Sequence, residues 1–244
     1  MNVQEATTRR LPDLKERHLP ENCRETINTI LKETYGYEQF RNLEIYDDLS
    51  KGKEKLCISQ GQLIENVILE AEKAWKGETQ VDNILLTAPT GSGKSLLFQL
   101  PAIYLGKEYN LLTIVVSPLK ALIVDQVESL QELGYMRVAY ASSDLSPEQK
   151  MEVYRQVREG EIDLFYLSPE LLLSYDIKHF VGERRIGLVV VDEAHTVTTW
   201  GKEFRVDYWF LGRYLTALKQ TLGYNFPLFA LTATAVWSPK GGND

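Results

Sequence analysis

Residues 83–105, NILLTAPTGSGKSLLFQLPAIYL, join an apolar run to a helical pattern through a glycine-rich loop. The run NILLTA is short and apolar and is bounded by turn-forming residues, which favours a strand. From Lys94 onward the apolar spacing is typical of a helix, with a bend expected at Pro101. A strand, a loop and a helix in this order form one unit of an α/β fold, in which helices cover a sheet.

The same alternation continues along the chain. Predicted strands cover residues 83–88, 111–117, 137–141, 163–168, 187–192 and 227–233, and helical patterns cover residues 94–105, 120–134, 146–160 and 206–223. Runs that are apolar on both faces and joined by helices indicate a parallel sheet covered on both sides, with right-handed crossovers. Such sheets bind ligands at the carboxyl ends of their strands, so we expect the functional motifs there.

The composition is that of an ordinary globular protein, with 44% hydrophobic and 25% charged residues. No apolar run is long enough to span a membrane, and the polar first residues do not form a signal peptide, which predicts a cytoplasmic protein. Cys23 and Cys57 lack CxxC spacing and are interpreted as reduced thiols. A net charge of −7 argues against a protein that coats nucleic acid, but it leaves room for a local groove.

The pattern divides the chain into three parts. Residues 1–55 form a predicted N-terminal appendage, with a helix over residues 23–35 and a polar, lysine-rich link over residues 47–55. Residues 56–236 carry the alternating strands and helices of the main domain. Residues 237–244 contain Pro and Gly and are interpreted as a linker or a truncated end.

The loop after the first predicted strand has the form of a phosphate-binding loop, with Ala88 where the stricter pattern has Gly. Gly91 and Gly93 allow the backbone to curl so that successive N–H groups point at phosphate oxygens. Lys94 is expected to reach the β- and γ-phosphates, and the Ser95 hydroxyl to bind Mg²⁺. The candidate nucleotide-binding residues of this loop are Thr90, Gly91, Ser92, Gly93, Lys94 and Ser95. The alternative is a glycine-rich turn that precedes a lysine by chance.

A second candidate site lies about one hundred residues downstream, where the apolar run GLVVVD ends in Asp192 and is followed by Glu193. In a parallel sheet this strand would deliver Asp192 to the edge that holds the phosphate loop, where it can hold Mg²⁺ directly or through water. Glu193 can orient or deprotonate the water that attacks the γ-phosphate. Adjacent acids are also common in solvated loops, but beside a phosphate loop they indicate Mg-ATP hydrolysis, with Lys94, Asp192 and Glu193 as catalytic residues.

Three motifs in this order carry a family resemblance. APTGSGKS, DEAH (residues 192–195) and LTATA (residues 231–235) resemble the motifs of the first motor domain of superfamily 2 helicases. The resemblance covers roughly residues 59–235. It implies an α/β, RecA-like P-loop NTPase domain, a mostly parallel sheet with helices on both faces, that uses ATP and Mg²⁺.

Further stretches narrow the resemblance to the RecQ group of DNA helicases. VVSPLKALIVDQV looks like motif Ia, YLSPELL like motif Ib, and AHTVTTWGKEFRVDYWFL like the aromatic-rich loop of that group. Residues that would lie against the DNA backbone, largely through main-chain groups, are Ser117, Pro118, Leu119, Ser168 and Pro169. Residues that would sense single-stranded DNA are Trp200, Phe204 and Arg205. Residues that would link hydrolysis to domain movement are His195, Thr232 and Thr234.

The aromatic residues of this last stretch have two possible roles. The rings of Trp200 and Phe204 can stack on bases without sequence preference, and Arg205 can pair with phosphate or stack on a base. The alternative is packing within a helix. We prefer packing for Tyr208, Trp209 and Phe210, which enter the helical pattern of residues 206–223.

The adenine-reading element departs from the family pattern. These helicases usually have an aromatic-Arg pair shortly before a Gly-Gln. Gly61 and Gln62 are present here, but the nearest aromatic-Arg pair, Phe40 and Arg41, lies about twenty residues upstream. Either an insertion splits the element or only Gln62 contacts adenine, and a lone Gln is otherwise an ordinary surface residue.

The chain stops soon after LTATA, whereas the family carries a second motor domain with the arginine that completes the ATP site. We therefore expect the first half of an ATP-dependent DNA helicase or translocase that acts on single-stranded or partly duplex DNA. It would hydrolyse ATP poorly without a second motor domain from the same or another chain. The alternative is a nucleotide-dependent regulatory module that binds nucleic acid without unwinding it. A P-loop kinase or transport ATPase would not explain the RecQ-like stretches.

Overall fold

The computed structural model describes residues 22–46, 55–88, 91–193 and 201–232 and, within them, the side chains outside residues 45–46, 55–56, 201–210 and 212. The helices are α1 (Glu25–Tyr35), α2 (Gln60–Trp75), α3 (Leu96–Tyr109), α4 (Lys120–Glu132), α5 (Pro147–Arg158), α6 (Pro169–Ser174), α7 (Ile177–Val181) and α8 (Gly201–Leu222). The strands are β1 (Asn42–Tyr46), β2 (Lys55–Ser59), β3 (Ile84–Thr87), β4 (Leu112–Val116), β5 (Val138–Ala141), β6 (Leu164–Leu167), β7 (Ile186–Val191) and β8 (Leu228–Thr232).

The six strands from β3 to β8 form one sheet in the order β3-β8-β7-β4-β6-β5, and every neighbouring pair is parallel. The register sets the strand ends side by side, because Val116 of β4 is level with Val191 of β7 and with Leu167 of β6. The six predicted strands and the parallel α/β fold are therefore confirmed. The carboxyl ends of β3, β8, β7, β4 and β6 therefore lie along one edge of the sheet, in that order.

Both faces of the sheet are buried because successive strand residues point to opposite sides. Val115 and Tyr166 lie in one hydrophobic cluster with residues of α1–α4, and Ile114 and Phe165 lie in another with residues of α5, α7 and α8. All four side chains are at most 1% exposed. Full burial of a side chain of this kind stabilises a fold by about 1.5–3 kcal/mol before entropy is counted, so each helical layer is firmly attached.

Helix α1 packs on the same core as the main domain. Ile27, Ile30 and Leu31 are buried in the cluster that contains α2 and α3. Arg24, at the N-cap of α1, places one guanidinium nitrogen 2.5 Å from Glu65 Oε1 and another 2.6 Å from Glu72 Oε1, both on α2. The helix predicted near residues 23–35 is confirmed.

A hairpin and three helices were missed by the sequence analysis. Strands β1 and β2 pair antiparallel, from Asn42 opposite Ser59 to Tyr46 opposite Lys55. Within the link predicted over residues 47–55, Lys55 is a strand residue, while residues 47–54 lie outside the described ranges. The boundary predicted between residues 55 and 56 falls inside β2, and the three-part division itself stays a prediction. Helices α2, α6 and α7 were also not predicted.

Candidate nucleotide site and nucleic-acid edge

The phosphate loop follows β3, the outermost strand of the sheet, at the carboxyl edge. The Ala88 amide donates to the Thr232 carbonyl at 3.0 Å, which fixes the start of the loop against the end of β8. Gly91 and Gly93 have φ angles of +81° and +79°, a region that side chains other than glycine rarely adopt. The backbone thus curls where the sequence predicted, whereas the predicted ligand Thr90 lies outside the described residues.

Lys94 lies between the loop and the acidic motif. Its Nζ donates to the Ala88 carbonyl at 3.2 Å and lies 3.8 Å from Glu193 Oε1. The Lys94 side chain is 10% exposed and that of Glu193 is 18% exposed. Water therefore screens their attraction less than it would on an open surface. The structure brings together two of the three predicted catalytic side chains, although they lie 99 positions apart in the chain.

Asp192 follows β7 directly and is 4% exposed. Its Oδ1 accepts from the Glu193 amide at 2.9 Å, and its Oδ2 accepts from Gln126 Nε2 at 3.2 Å. Burial raises the pKa of Asp192, the Gln126 hydrogen bond lowers it, and the neighbouring Glu193 charge raises it, with a net increase. A cation at this position would relieve the cost of keeping the buried carboxylate ionised.

Glu193 has a φ angle of +51°, a left-handed conformation that is uncommon for a residue with a Cβ. Such conformations cost energy and persist where the surrounding structure holds them, often at functional sites. Here the Glu193 amide is held by Asp192 Oδ1, and the turn directs the carboxylate toward Lys94.

The donor set at this edge fits Mg²⁺. Ser95 precedes α3 and its side chain makes no hydrogen bond that caps the helix, while Asp192 offers carboxylate oxygens. Mg²⁺ binds oxygen ligands and usually retains water and phosphate oxygens, so one hydroxyl and one carboxylate suffice. Ser92 Oγ is enclosed and has no hydrogen-bond partner among the described residues, as expected of a loop shaped around a polar ligand.

The hairpin resolves the geometry of the split adenine element. At its base the Gln60 amide donates to the Arg41 carbonyl at 2.9 Å, and the Arg41 amide donates to Gln60 Oε1 at 3.2 Å. A Cβ on Gly61 would lie 2.7 Å from Phe40 Cδ2, so the Phe40 ring is packed on the Gly61 backbone. The two ends of the segment between Arg41 and Gln60 thus meet, and Phe40 lies against Gly61, which is the arrangement that the insertion alternative requires.

A cavity of about 540 Å³ opens beside this element. It is lined by Asn22, Cys23, Asn28, Glu38, Gln39, Phe40, Ser59, Gly61 and Gln62. Gln62 Oε1 accepts from the Ser59 amide at 3.0 Å as part of the box that caps α2. Gln62 therefore has a structural role at the start of the helix as well as a place on the cavity wall.

The predicted DNA-contacting residues lie beside Asp192 on the carboxyl edge. The Asp192 amide donates to the Val116 carbonyl at 2.9 Å, and the Ser117 amide donates to the Leu167 carbonyl at 3.1 Å. The loops after β7, β4 and β6 are therefore direct neighbours. This places Ser117 and Ser168 next to each other along the edge, on the side away from the phosphate loop.

The serine side chains at this edge face the protein. Ser117 is 1% exposed, and Ser168 Oγ accepts from the Leu171 amide at 3.3 Å to cap α6. Pro169 is buried, Pro118 is half-buried and Leu119 is 40% exposed. A contact with a nucleic-acid backbone would therefore use main-chain groups and the exposed Leu119, in agreement with the predicted main-chain contact.

The remaining predicted residues are placed only in part. Thr232 ends β8 and is 6% exposed. His195, Trp200 and Thr234 lie outside the described residues. The prediction that α8 begins near residue 206 was wrong, because the helix begins at Gly201 and includes Phe204 and Arg205 in its first turns. The spacing of apolar residues locates the ends of a helix poorly. The residues from Gly201 to Arg205 also include no proline, which would have ended the helix.

Two polar residues of the site were not predicted. Gln60 is 2% exposed, and its Nε2 donates to the Ser92 carbonyl at 3.1 Å, which ties the phosphate loop to the hairpin. Gln126 holds Asp192. Gln126 lies on the apolar face of α4 with Ile123 and Leu130, and a polar residue at a core position is the signal that could have revealed it.

Comparison with known proteins identifies the family. A profile of the DEAD/DEAH box helicases matches residues 64–240. The chain belongs to the DEAD/DEAH box helicase family. Among the relatives of this chain, the ATP-dependent DNA helicase RecQ of Synechocystis is 35% identical over 217 residues, covering 87% of the chain and 38% of the relative. RecQ of Haemophilus influenzae is 31% identical over 215 residues, covering 88% of the chain and 29% of the relative.

The similarity confirms the resemblance to the RecQ group, and the helicase chain spans about a third of the length of these two relatives. Among solved structures, the DUF1998 helicase MrfA bound to DNA and AMPPNP matches with a TM-score of 0.56 at 22% identity. The match covers 92% of this chain and 28% of MrfA. At this identity the match supports the fold alone. In the described part of the helicase chain, no helix is long and apolar enough to cross a membrane.

Proposed function

We propose that the chain is the ATP-binding motor domain of an ATP-dependent DNA helicase or translocase that couples Mg-ATP hydrolysis to single-stranded DNA binding. The observation that carries this proposal is the 3.8 Å separation of Lys94 Nζ and Glu193 Oε1 at the carboxyl edge. A γ-phosphate at this place would take Lys94 as its counter-ion and would leave Glu193 to orient or deprotonate the attacking water. The pair thus supplies both a cation for the phosphate and a base for the water.

Ser95 and Asp192 would hold Mg²⁺, which when bound neutralises charge on the β- and γ-phosphates. The backbone N–H groups of residues 90–93 would cradle the phosphates. Phe40, Arg41 and Gln62 would recognise the adenine, because Phe40 and Gln62 line the 540 Å³ cavity and Arg41 follows Phe40 directly in the chain. The hydrogen bond between Gln60 and Ser92 would connect base recognition to the phosphate loop.

The nucleic acid would run along the loops after β4 and β6, with Ser117, Pro118, Leu119, Ser168 and Pro169 against the sugar-phosphate backbone. The strand order supports this, since β4, which precedes Ser117, lies directly beside β7, which precedes Asp192, and β6 lies on the far side of β4. Trp200, Phe204 and Arg205 would sense the strand, and His195, Thr232 and Thr234 would pass its presence to the ATP site. The strand would be single-stranded or partly duplex DNA in the cytoplasm.

The ATP site would be completed by a second motor domain in the same or another chain. The described residues provide Lys94 as a cation beside Glu193. An arginine from the second domain would add to it, since an arginine in trans contributes about 10³–10⁵ in rate in related phosphoryl-transfer machines. Without that domain we expect ATP binding, weak turnover and no unwinding.

The nucleotide site is tested by binding of a fluorescent ATP analogue. Lys94→Ala should reduce binding by at least about a hundredfold, because the phosphate charge loses a buried partner. Lys107→Ala, at an exposed position of α3, is the matched control and should bind as the wild type does. Equal affinity of the two variants would refute the phosphate-loop assignment.

The coupling is tested by ATPase activity with and without single-stranded DNA and RNA, on this chain and on a chain extended by a second motor domain. Stimulation by DNA in the extended protein supports the helicase proposal. ATP-dependent DNA binding with no DNA-stimulated turnover in either protein would instead favour a regulatory module that does not unwind.

A further inference from the structure

A buried chain of four hydrogen bonds runs from α1 to the Asp192 carboxylate. Tyr35 Oη donates to Gln99 Oε1 at 2.9 Å, and Gln99 Nε2 donates to Tyr166 Oη at 3.3 Å. Tyr166 Oη then donates to Gln126 Oε1 at 2.9 Å, and Gln126 Nε2 donates to Asp192 Oδ2 at 3.2 Å. The chain connects α1, α3, β6, α4 and the end of β7.

All four bonds point in one direction, toward the carboxylate. An ionised carboxylate only accepts hydrogen bonds, so Gln126 must present its Nε2 to Asp192 and its Oε1 to Tyr166. Tyr166 must then donate to Gln126 and can accept from Gln99. Burial raises the pKa of Tyr166, which keeps its hydroxyl protonated and able to donate. Bonds that are aligned in this way polarise and strengthen one another.

Burial of the Gln126 amide costs free energy unless its polar atoms form hydrogen bonds. Gln126 is 9% exposed and lies on the apolar face of α4, among Ile123, Val127 and Leu130. An apolar residue of similar size would bury its surface there without the desolvation cost of an amide. What the amide adds is a fixed donor, 3.2 Å from Asp192 Oδ2.

The chain also passes close to the second predicted metal ligand. A cavity of about 170 Å³ is lined by residues that include Ser95, Gln99 and Gln126. Gln126 therefore shares a cavity with Ser95 and also donates to Asp192. The Glu193 amide fixes Asp192 Oδ1 at 2.9 Å, so Gln126 supplies the second anchor that defines the plane of the carboxylate.

We propose that Gln126 is a positioning residue for metal binding: its amide, oriented by the Tyr166 hydroxyl, holds the Asp192 carboxylate in the orientation that receives the metal ion of Mg-ATP. The proposal rests on the proposed function of this edge as a Mg-ATP site. Groups that orient a metal ligand in this way typically change metal affinity about 10- to 100-fold when they are removed.

The test measures the metal ion directly. Mn²⁺, as a substitute for Mg²⁺, is titrated into the 244-residue chain saturated with ADP, and the free ion is followed by electron paramagnetic resonance. Gln126→Met keeps the approximate size of the side chain and removes both hydrogen bonds, so it should weaken Mn²⁺ binding about tenfold or more. Tyr166→Phe removes only the hydroxyl that orients the amide and should weaken it about fivefold.

Two controls separate positioning from a general structural effect. Gln131→Met makes the same exchange at an exposed position of α4 and should bind Mn²⁺ as the wild type does. The affinity of each variant for a fluorescent ADP analogue in EDTA should stay within about twofold of wild type, since the amide acts on the metal ligand and not on the phosphates. If Gln126→Met does not fold, Tyr166→Phe decides the question.

The outcomes distinguish the two proposals. Wild-type chain that binds ADP but no Mn²⁺ would refute the metal site of the proposed function. Wild-type Mn²⁺ binding that is unchanged in Gln126→Met and Tyr166→Phe would overturn the positioning role and leave the proposed function standing. An equal loss of metal-free ADP binding in both variants would also overturn the positioning role, because it indicates a structural effect.

Discussion

Substitution of Gly93 by alanine should destabilise the nucleotide-free chain more than the same substitution at Gly91. Both residues have φ near +80°, so each alanine incurs the strain of a left-handed conformation, about 1–2 kcal/mol. Among the described residues, a Cβ on Gly91 would have no neighbour within 4 Å, whereas a Cβ on Gly93 would lie 2.7 Å from Gln60 Nε2. The two variants therefore share the strain and differ in the displacement of Gln60.

The additional cost follows from what the Gln60 amide holds. Its Nε2 donates to the Ser92 carbonyl, and its Oε1 accepts from the Arg41 amide. If the alanine at position 93 breaks both bonds, the loss is about 1 kcal/mol for each. We expect the free energy of unfolding to fall by about 1–2 kcal/mol in Gly91→Ala and by about 3–4 kcal/mol in Gly93→Ala.

Urea denaturation of the chain without nucleotide measures these differences. In a Gln60→Ala background the obstacle is absent, so Gly93→Ala should cost no more than Gly91→Ala does. The double-mutant cycle should then give a coupling energy of about 2 kcal/mol between positions 60 and 93. Equal costs at positions 91 and 93, or a coupling energy near zero, would refute the view that Gln60 braces the phosphate loop.

Three further predictions concern catalysis, coupling and pH. Glu193→Gln should bind the fluorescent ATP analogue as the wild type does. It should stop ATP turnover in the protein extended by a second motor domain, because an amide cannot accept the proton of water. Unchanged turnover would exclude Glu193 as the base. Trp200→Ala should remove DNA stimulation of that ATPase while basal turnover persists, and full stimulation would contradict the sensor role. Burial raises the pKa of Glu72, but hydrogen bonds from Arg24 and other groups lower it overall. In urea denaturation the wild type should therefore be more stable than Glu72→Gln at neutral pH. This advantage should shrink as the pH falls below about 4, because the carboxylate is then protonated. An advantage that is independent of pH would show that the Glu72 carboxylate does not contribute through its charge.

The sequence predicts the sheet well because each strand from β3 to β8 is a separate apolar run between helical patterns. The hairpin and α2 could not be found in this way. Ser59 is both the last residue of β2 and the N-cap of α2. The spacing of side chains on one face therefore changes from two residues, as in a strand, to 3.6 residues, as in a helix, without an intervening turn residue. The charged residues of KGKEKLCIS further obscure the alternation of β2.

The residues of the candidate site also differ in whether a local sequence pattern reveals them. Lys94, Ser95 and Asp192 belong to short local motifs and could be recognised from neighbouring residues. Gln60 and Gln126 act on partners 32 and 66 positions away, so a local pattern can at most mark Gln126 as a polar residue on an apolar face and cannot name either partner. Their buried amides matter only once the fold has brought the strand ends and helices together.

The placement of α4 offers a short route between nucleic acid and nucleotide. Leu119, the exposed residue of the predicted DNA edge, is the N-cap residue of α4, and Gln126 lies seven residues further along the same helix, about 10 Å at a rise of 1.5 Å per residue. A helix moves as a unit because its backbone bonds are internal and its apolar face is close-packed. A shift of α4 by about 1 Å would carry the 3.2 Å bond between Gln126 and Asp192 beyond hydrogen-bonding distance. If nucleic acid contacts Leu119 and Asp192 binds the metal ion, as proposed, strand contact and the orientation of this carboxylate would be linked through one rigid helix, in addition to any route through Trp200.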